Sequence, residues 1–373
     1  MKRYGHLFEE ICSIENLRKA HQHAKKGKGW YREVREIDKC PDYYLYYLQY
    51  LLKNHLYKTS DYEMFVKRDG KKERKIYKLP YFPDRVAQWA ILQVIEPYII
   101  NHLIADTYSA IPKRGIHKGL DRLTKAMRTD VEGCQYCLKI DARHYYQSIN
   151  HDVLKQKYRK MFKDEDLLLV LDEIIDSIDT ADETDLCEIY LLEEDIDPAT
   201  GIPIGNYLSQ YSGNYYFSDF DHWMEEVKHV KHYFRYMDDI VIFAATKEEL
   251  HKLLKEIDEY FRQNMKLKIK DNWQVFPTYV RGVDYLGYRV FMEYTLLRKD
   301  TCKQMKKKLT VIRQKCEAGK MMNYSEWCCI HSYNGWILPC DGFRLRQKYI
   351  VPLLPYADDY YKTNIKKKGG KAA

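Results

Sequence analysis

The chain has 373 residues, 45% hydrophobic and 31% charged, with a formal net charge of +8. That content excludes a disordered chain and suits two or three structural regions around a sizeable core, while no apolar run approaches the roughly 20 residues needed to span a bilayer. Basic residues gather at Arg18–Arg35, Lys67–Lys78, Arg298–Lys315 and Lys362–Lys371, whereas 164–226 holds no Lys or Arg, which predicts a polyanion-binding face opposite a solvated acidic one.

Met1-Lys-Arg-Tyr-Gly5 runs into acids rather than a signal-peptide apolar region, so the expected compartment is the cytoplasm. Residues 5–57 read as helical. Leu7, Ile11, Ile14 and Leu17 form one stripe, Lys25-Lys-Gly-Lys-Gly29 breaks it, and an aromatic-rich helix covers about Pro41–Leu56. The pattern then shortens to two strands, Glu63–Lys67 and Lys75–Leu79, around a turn at Asp69-Gly70. A ribbon carrying Lys71, Lys72, Arg74 and Lys75 suits contact with a triphosphate, though an exposed hairpin tolerates the same charges. Asp84 is placed to open a helix with Val86, Ala90, Ile91 and Ile95 inward. An irregular basic loop, Asp106–Lys118, leads into a helix over 118–127.

An apolar run ends at Asp141 in Cys137-Leu-Lys-Ile-Asp141, a strand delivering one carboxylate. Helices are expected over Asn150–Met161 and, amphipathic and acidic, over Lys163–Asp179. Gly201-Ile-Pro-Ile-Gly205 is a loop whose glycines let backbone approach a planar or anionic group. His232–Ala244 reads as a hairpin with Asp238 and Asp239 at its tip. Adjacent acids repel, and a divalent metal held by hard oxygen ligands relieves them; an Asp-Asp turn that merely caps a hairpin is the alternative. With Asp141 beside them, the acids make a cage for two ions that activate an attacking hydroxyl and stabilise departing pyrophosphate. Beyond lie a helix over Lys247–Phe261, a strand at Leu267–Lys270, a glycine-centred strand pair within Tyr279–Phe291, a basic helix over Lys299–Cys316, a helical piece over Ser332–Tyr349, and a disordered tail from Thr363. The ten cysteines are expected as reduced thiols; Cys134 and Cys137 have CxxC spacing but no second such pair.

In this order, these elements resemble the reverse transcriptases over about Tyr62–Ile350. Tyr236-Met-Asp-Asp239 looks like the family's catalytic box, Lys139-Ile-Asp141 with Tyr145-Tyr146 its first acidic motif, and Val283-Asp-Tyr-Leu-Gly-Tyr288 its primer-grip turn. The resemblance implies an α+β right-hand polymerase fold: an N-terminal helical extension over 1–60, fingers and a palm with an antiparallel sheet over 61–292, a helical thumb over 293–355 and a basic tail over 356–373. It implies Asp141, Asp238 and Asp239 as catalytic, with the Ala142 carbonyl as a further ligand to two Mg²⁺ ions, Mn²⁺ being the alternative. Lys72, Arg74, Tyr146, Ile204 and Gly205 would bind the deoxynucleoside triphosphate, Tyr146 crowding the sugar 2′ position. Lys113, Arg114, Tyr236, Met237, Leu286, Gly287, Lys303 and Lys307 would contact template RNA and primer or cDNA.

Most reverse transcriptases carry Gln-Gly-x-x-x-Ser-Pro where this chain reads Ile204-Gly-Asn-Tyr-Leu-Ser-Gln210. That form, with the opening Met1–Gly5 and Phe82-Pro-Asp-Arg-Val86, is similar to the reverse transcriptases of diversity-generating retroelements. Those enzymes copy a template-repeat RNA with errors at adenines and act with a small basic accessory protein. A defence-associated bacterial reverse transcriptase using a dedicated non-coding RNA is the alternative, and a non-catalytic RNA-binding subunit the reading from another class. A second departure is Ile111-Pro-Lys-Arg114, where many relatives have Arg before Pro.

Overall fold

The computed structural model describes residues 3–69, 72–179 and 199–366. The order of elements is α1 (Phe8–Ile11), α2 (Ile14–Lys25), α3 (Arg32–Ile37), α4 (Pro41–Lys53), β1 (Glu63–Asp69), β2 (Lys72–Lys78), α5 (Val86–His102), α6 (Ile116–Thr129), β3 (Tyr136–Asp141), α7 (His151–Met161) and α8 (Glu165–Asp176). Then follow α9 (Tyr207–His222), β4 (Tyr233–Tyr236), β5 (Asp239–Ala244), α10 (Lys247–Asn264), β6 (Gln274–Pro277), α11 (Thr278–Arg281), β7 (Val283–Tyr285), β8 (Tyr288–Val290), β9 (Thr295–Leu297), α12 (Lys299–Glu317), α13 (Tyr324–Ile337), α14 (Phe343–Tyr349) and α15 (Leu354–Tyr360). The fold is α+β. Its sheets are a ribbon β1-β2, a four-stranded sheet in the order β4-β5-β3-β6, and a meander β7-β8-β9.

The chain divides into two compact units, the first made of Met1–Pro112, Lys139–Ile240 and Lys252–Trp273, the second of Lys113–Leu138, Val241–His251 and Gln274–Ala373. At the centre of the first lies α5, with Val86, Ala90, Ile91, Val94, Ile95 and Ile99 buried. Its apolar residues surround the helix because α1, α2 and α9 all pack on it. α9 is buried along nearly its whole length, so Ser212, Ser218 and Asn214 turn to backbone, Asn214 Nδ2 donating to the Ser109 carbonyl over 2.6 Å. No amphipathic period marks such a helix in sequence.

The first stripe splits in two, because the Ser13 side chain accepts the Asn16 N–H and caps α2. Asp84 does not open α5. The chain enters through a π-helical turn at Tyr81–Arg85, and Asp84 is buried, accepting from the Tyr57 hydroxyl at 3.0 Å and the Ser60 N–H at 3.1 Å. Leu267–Lys270 forms no strand: Ile269 makes a single bridge to Ala142, while the Lys270 N–H donates to the Asp141 carbonyl and the Lys268 carbonyl accepts the Arg143 N–H. The expected strands lengthen into β1 and β2, paired antiparallel with Phe65 opposite Ile76; Gly70 and Lys71 of their turn lie outside the described residues.

α8 buries Leu167, Leu168, Leu171, Ile174 and Ile175. Its acids are not merely solvated. Lys58 pairs with Glu173, Lys155 with Asp176, and Arg159 with Asp172. The rest of the acidic stretch, 180–198, lies outside the described residues.

In the second unit, Tyr285 pairs with Tyr288 and Tyr288 with Leu297 across the meander. α12 buries Met305, Leu309 and Ile312 and exposes Lys303, Lys307 and Arg313. The expected helix over 332–349 is two, α13 and α14, and the tail expected to be disordered from Thr363 stays helical to Lys366. The Trp327 and Tyr361 rings stack there; 367–373 lies outside the described residues. Cys134 and Cys137 are buried.

Candidate active site

The hairpin of β4 and β5 turns at Met237 and Asp238, with Met237 in the left-handed region at φ +59. A non-glycine residue holds that conformation only where its surroundings impose it. Arg235 imposes it here: wholly buried, it donates through Nη1 to the Met237 carbonyl over 3.0 Å and to Asn214 Oδ1 over 3.2 Å. Its Nε and Nη2 reach the two oxygens of Asp221 at 2.7 and 2.5 Å, and the Tyr233 hydroxyl donates to Asp221 Oδ1 over 2.6 Å. A buried ion pair is tolerated when its remaining donors and acceptors are satisfied, as they are in this network.

Asp141 ends β3, Asp238 sits in the turn and Asp239 opens β5. Burial, then the charge of Asp141 and a hydrogen bond shared with it, push the Asp238 carboxyl up to about 7. The two carboxyls therefore face one another. Lys270 Nζ donates to Asp141 Oδ2 over 2.6 Å, while Asp141 Oδ1 is buried and receives no hydrogen bond. Asp239 is engaged by Lys139, whose Nζ lies 3.2 Å from Oδ1. Among the described residues, no group of three or more His, Cys, Asp or Glu side chains is gathered to hold a metal ion. What the fold assembles is a pair, Asp141 with Asp238, and a third acid turned to a lysine. An orphaned buried carboxylate oxygen beside a second carboxyl fits a divalent cation that takes oxygen ligands.

Tyr146 stands beside the pair. Burial and the neighbouring Asp238 and Tyr236 push its phenol well above the usual tyrosine range. Its carbonyl accepts the Ile202 N–H over 2.8 Å, and the Ile204 carbonyl accepts the Tyr77 N–H of β2 over 3.3 Å. The Gly201–Gly205 loop is thus tied to Tyr146 and to the strand bearing Lys72 and Arg74. Gly205, at φ +125, sits where a Cβ would lie 3.3 Å from Ile76 Cγ2 and from the Tyr77 carbonyl.

Lys113, Arg114, Leu286, Gly287, Lys303 and Lys307 belong to the second unit. Leu286 and Gly287 make the β7–β8 turn with φ +51 and +85, and any Cβ on Gly287 would strike the Trp336 ring. Tyr288 donates its hydroxyl to the Trp336 carbonyl over 2.8 Å, fixing that turn against α13.

Four residues around the acids had no role assigned by the sequence reading: Arg235, Asp221, Lys139 and Lys270. Lys139 carried a signal, since it lies two residues before Asp141 and shares its face of the strand. Arg235, alone among aromatic and apolar neighbours, carried a weaker one. Asp221 and Lys270 carried none.

A family model described as reverse transcriptase (RNA-dependent DNA polymerase) matches residues 66–290. Protein YkfC of Escherichia coli (strain K12) is 21% identical over 274 residues, covering 64% of this chain and 69% of that protein. Among solved structures, telomerase from Candida albicans in complex with a fragment of telomeric RNA aligns with a TM-score of 0.49 at 9% identity, covering 69% of this chain and 52% of that one. Apo telomerase from Candida tropicalis, truncated of its C-terminal domain, aligns at 0.45 and 11% identity, covering 65% and 55%. The chain spans about half the length of those telomerase chains.

Proposed function

The chain belongs to the reverse transcriptase family, and from that premise we propose that it is an RNA-directed DNA polymerase, joining the 3′-hydroxyl of a primer to deoxynucleoside triphosphates on an RNA template. The observation that carries this reading is the contact between Asp141 and Asp238 with an unsatisfied oxygen buried beside it. The family implies divalent-metal catalysis. Asp141 and Asp238, with the Ala142 carbonyl and Asp239, would hold the ions, which when bound activate the attacking hydroxyl and stabilise the departing pyrophosphate.

The chain's own residues supply placement. Lys270 and Lys139 neutralise and orient Asp141 and Asp239. Tyr146 limits space at the sugar 2′ position, Ile204 and Gly205 support the nucleotide, and Lys72 and Arg74 hold its triphosphate. Tyr236 and Met237 at the hairpin, with Lys113, Arg114, Leu286, Gly287, Lys303 and Lys307, contact template and primer, the lysines through phosphates. Fingers, palm and thumb follow the bounds set out above. The test is primer extension on RNA by purified protein with Mg²⁺: wild type extends and Asp238→Asn does not. No incorporation by wild type, even with its RNA and protein partners, rejects the assignment.

The finer reading is a diversity-generating reverse transcriptase that copies a template-repeat RNA with errors at adenines, assisted by a small basic protein. It is supported by Ile204 replacing the family's glutamine ahead of Gly205. Sequencing cDNA made in cells tests it: errors concentrate at template adenines, and errors spread evenly over the four bases reject it.

A further inference from the structure

His151 opens α7 with its side chain 2% exposed, between the end of α8 and the start of the Gly201–Gly205 loop. Its Nε2 lies 2.8 Å from the Gly201 carbonyl and its Nδ1 3.2 Å from Asp176 Oδ1. A carbonyl only accepts, so Nε2 carries a proton and donates it to Gly201. Asp176 is held in turn by Lys155, whose Nζ donates to Oδ2 over 2.6 Å. The imidazole is therefore fixed on both sides: a carboxylate orients one nitrogen while the other grips the loop backbone. A buried polar ring is costly unless its nitrogens are engaged, and here both are.

Backbone bonds anchor the same segment. The Gly201 N–H donates to the Ile149 carbonyl over 2.8 Å, the Ile202 N–H to the Tyr146 carbonyl over 2.8 Å, and the His151 N–H to the Ala199 carbonyl over 3.1 Å. The Thr200 N–H donates to Asp179 Oδ1 over 3.1 Å, and Thr200 bridges antiparallel to Asn150. The segment 199–202 thus lies along the stretch that leads from Asp141 to α7, and Ile204 and Gly205 follow it directly. Most residue types would preserve the backbone bonds, but the bond to the Gly201 carbonyl exists only with a side chain that carries a donor at that reach. We propose that His151 is a positioning residue for the incoming triphosphate. It fixes the Gly201 carbonyl, and with it the backbone on which Ile204 and Gly205 meet the nucleotide. This role rests on the polymerase reading and on the placing of the nucleotide at Ile204 and Gly205; the clamp on Gly201 is independent of both.

Two variants separate the contacts of the ring. In His151→Gln the side-chain amide reaches the place of Nε2 and can donate to Gly201, whereas in His151→Asn it reaches only the place of Nδ1. Hydrogen exchange of the full chain, without nucleotide, reads the clamp at the Thr200, Gly201 and Ile202 amides. Exchange there is expected to be faster by roughly tenfold or more in His151→Asn and close to wild type in His151→Gln. Steady-state primer extension on RNA with Mg²⁺ reads the consequence. KM for the triphosphate is expected to rise roughly tenfold in His151→Asn, the order set by one buried hydrogen bond, with kcat within about twofold of wild type. His151→Gln restores KM. A histidine that merely stabilised the fold would lower the amount of active enzyme, and so the apparent kcat, while leaving KM alone. Equal KM in the two variants, a wild-type KM in His151→Asn, or unchanged exchange overturns the proposal. Wild type that incorporates nothing brings down the polymerase reading and this role with it, while exchange still reports the clamp. Wild type that extends primers without the KM contrast brings down the positioning role alone.

Discussion

Arg235 and Asp221 form an ion pair in which both side chains are 0% exposed, and the same guanidinium holds the Met237 carbonyl at the turn that carries Asp238. Removing one partner of such a pair leaves a buried charge uncompensated, at a cost of about 3–5 kcal/mol. Asp221→Leu is therefore expected to lower the thermal midpoint strongly, and R235M/D221L less than either single change. A double variant no better than the singles would show that the charges act independently.

Asp238 meets a like charge when it ionises, so Asp238→Asn acts in opposite directions on stability and activity. At pH 8 in EDTA, the variant is expected to melt higher than wild type, because the repulsion with Asp141 is gone. Primer extension in Mg²⁺ is expected to fall by roughly a thousandfold or more, since several kcal/mol of transition-state stabilisation depend on the metal site. Wild-type extension that survives EDTA would refute the metal assignment.

Gly205→Ala introduces a Cβ at φ +125, tight against Ile76 and the Tyr77 carbonyl. Strain of about 1–3 kcal/mol is expected, borne by the loop proposed to support the nucleotide. Steady-state kinetics check it: KM for the triphosphate rises by roughly tenfold while the midpoint falls by a few degrees. A variant with unaltered KM would place the nucleotide elsewhere.

In the proposed nucleotide site, Ile204 would offer an apolar contact where glutamine would hydrogen-bond. Ile204→Gln restores one polar constraint worth on the order of 1 kcal/mol, and adenine misincorporation on RNA is expected to fall several-fold. Sequenced products with undiminished adenine errors would remove this account of fidelity.

Asp219 links α9 to α7. Burial opposes its ionisation, but a hydrogen bond with His102 and the charges of Lys157, at 2.8 Å, and Lys160 outweigh burial and hold its carboxyl well below the usual range. The native chain thus binds fewer protons here than the unfolded one, so this contribution is complete above about pH 4 and is lost as pH falls further. Wild type should lose midpoint below about pH 4 faster than Asp219→Asn. The variant should start lower at pH 7, where Lys157 is left buried without its anion. Parallel acid limbs would contradict this.

Much of the fold was legible in local patterns. The stripes of α8 and α12 and the hairpin ending in Asp238 repeat with the period of their own element, and each buries the face that period marks. α9 was not legible, because a helix packed on all sides has no polar face to set its phase. Asp84 was misread for a related reason: its local position suits a helix cap, but the hydroxyl of Tyr57, far back in the chain, decided where it went.

The sequence by itself determined that Asp141, Asp238 and Asp239 arrive at the ends of strands, since alternation and turn chemistry act between neighbours. Only the tertiary structure decided which partners they meet. Lys270 is 129 residues from Asp141, Lys139 is 100 from Asp239, and Arg235 reaches 128 back to Thr107. Contacts over such separations follow from how whole elements pack, and no repeat along the chain encodes them.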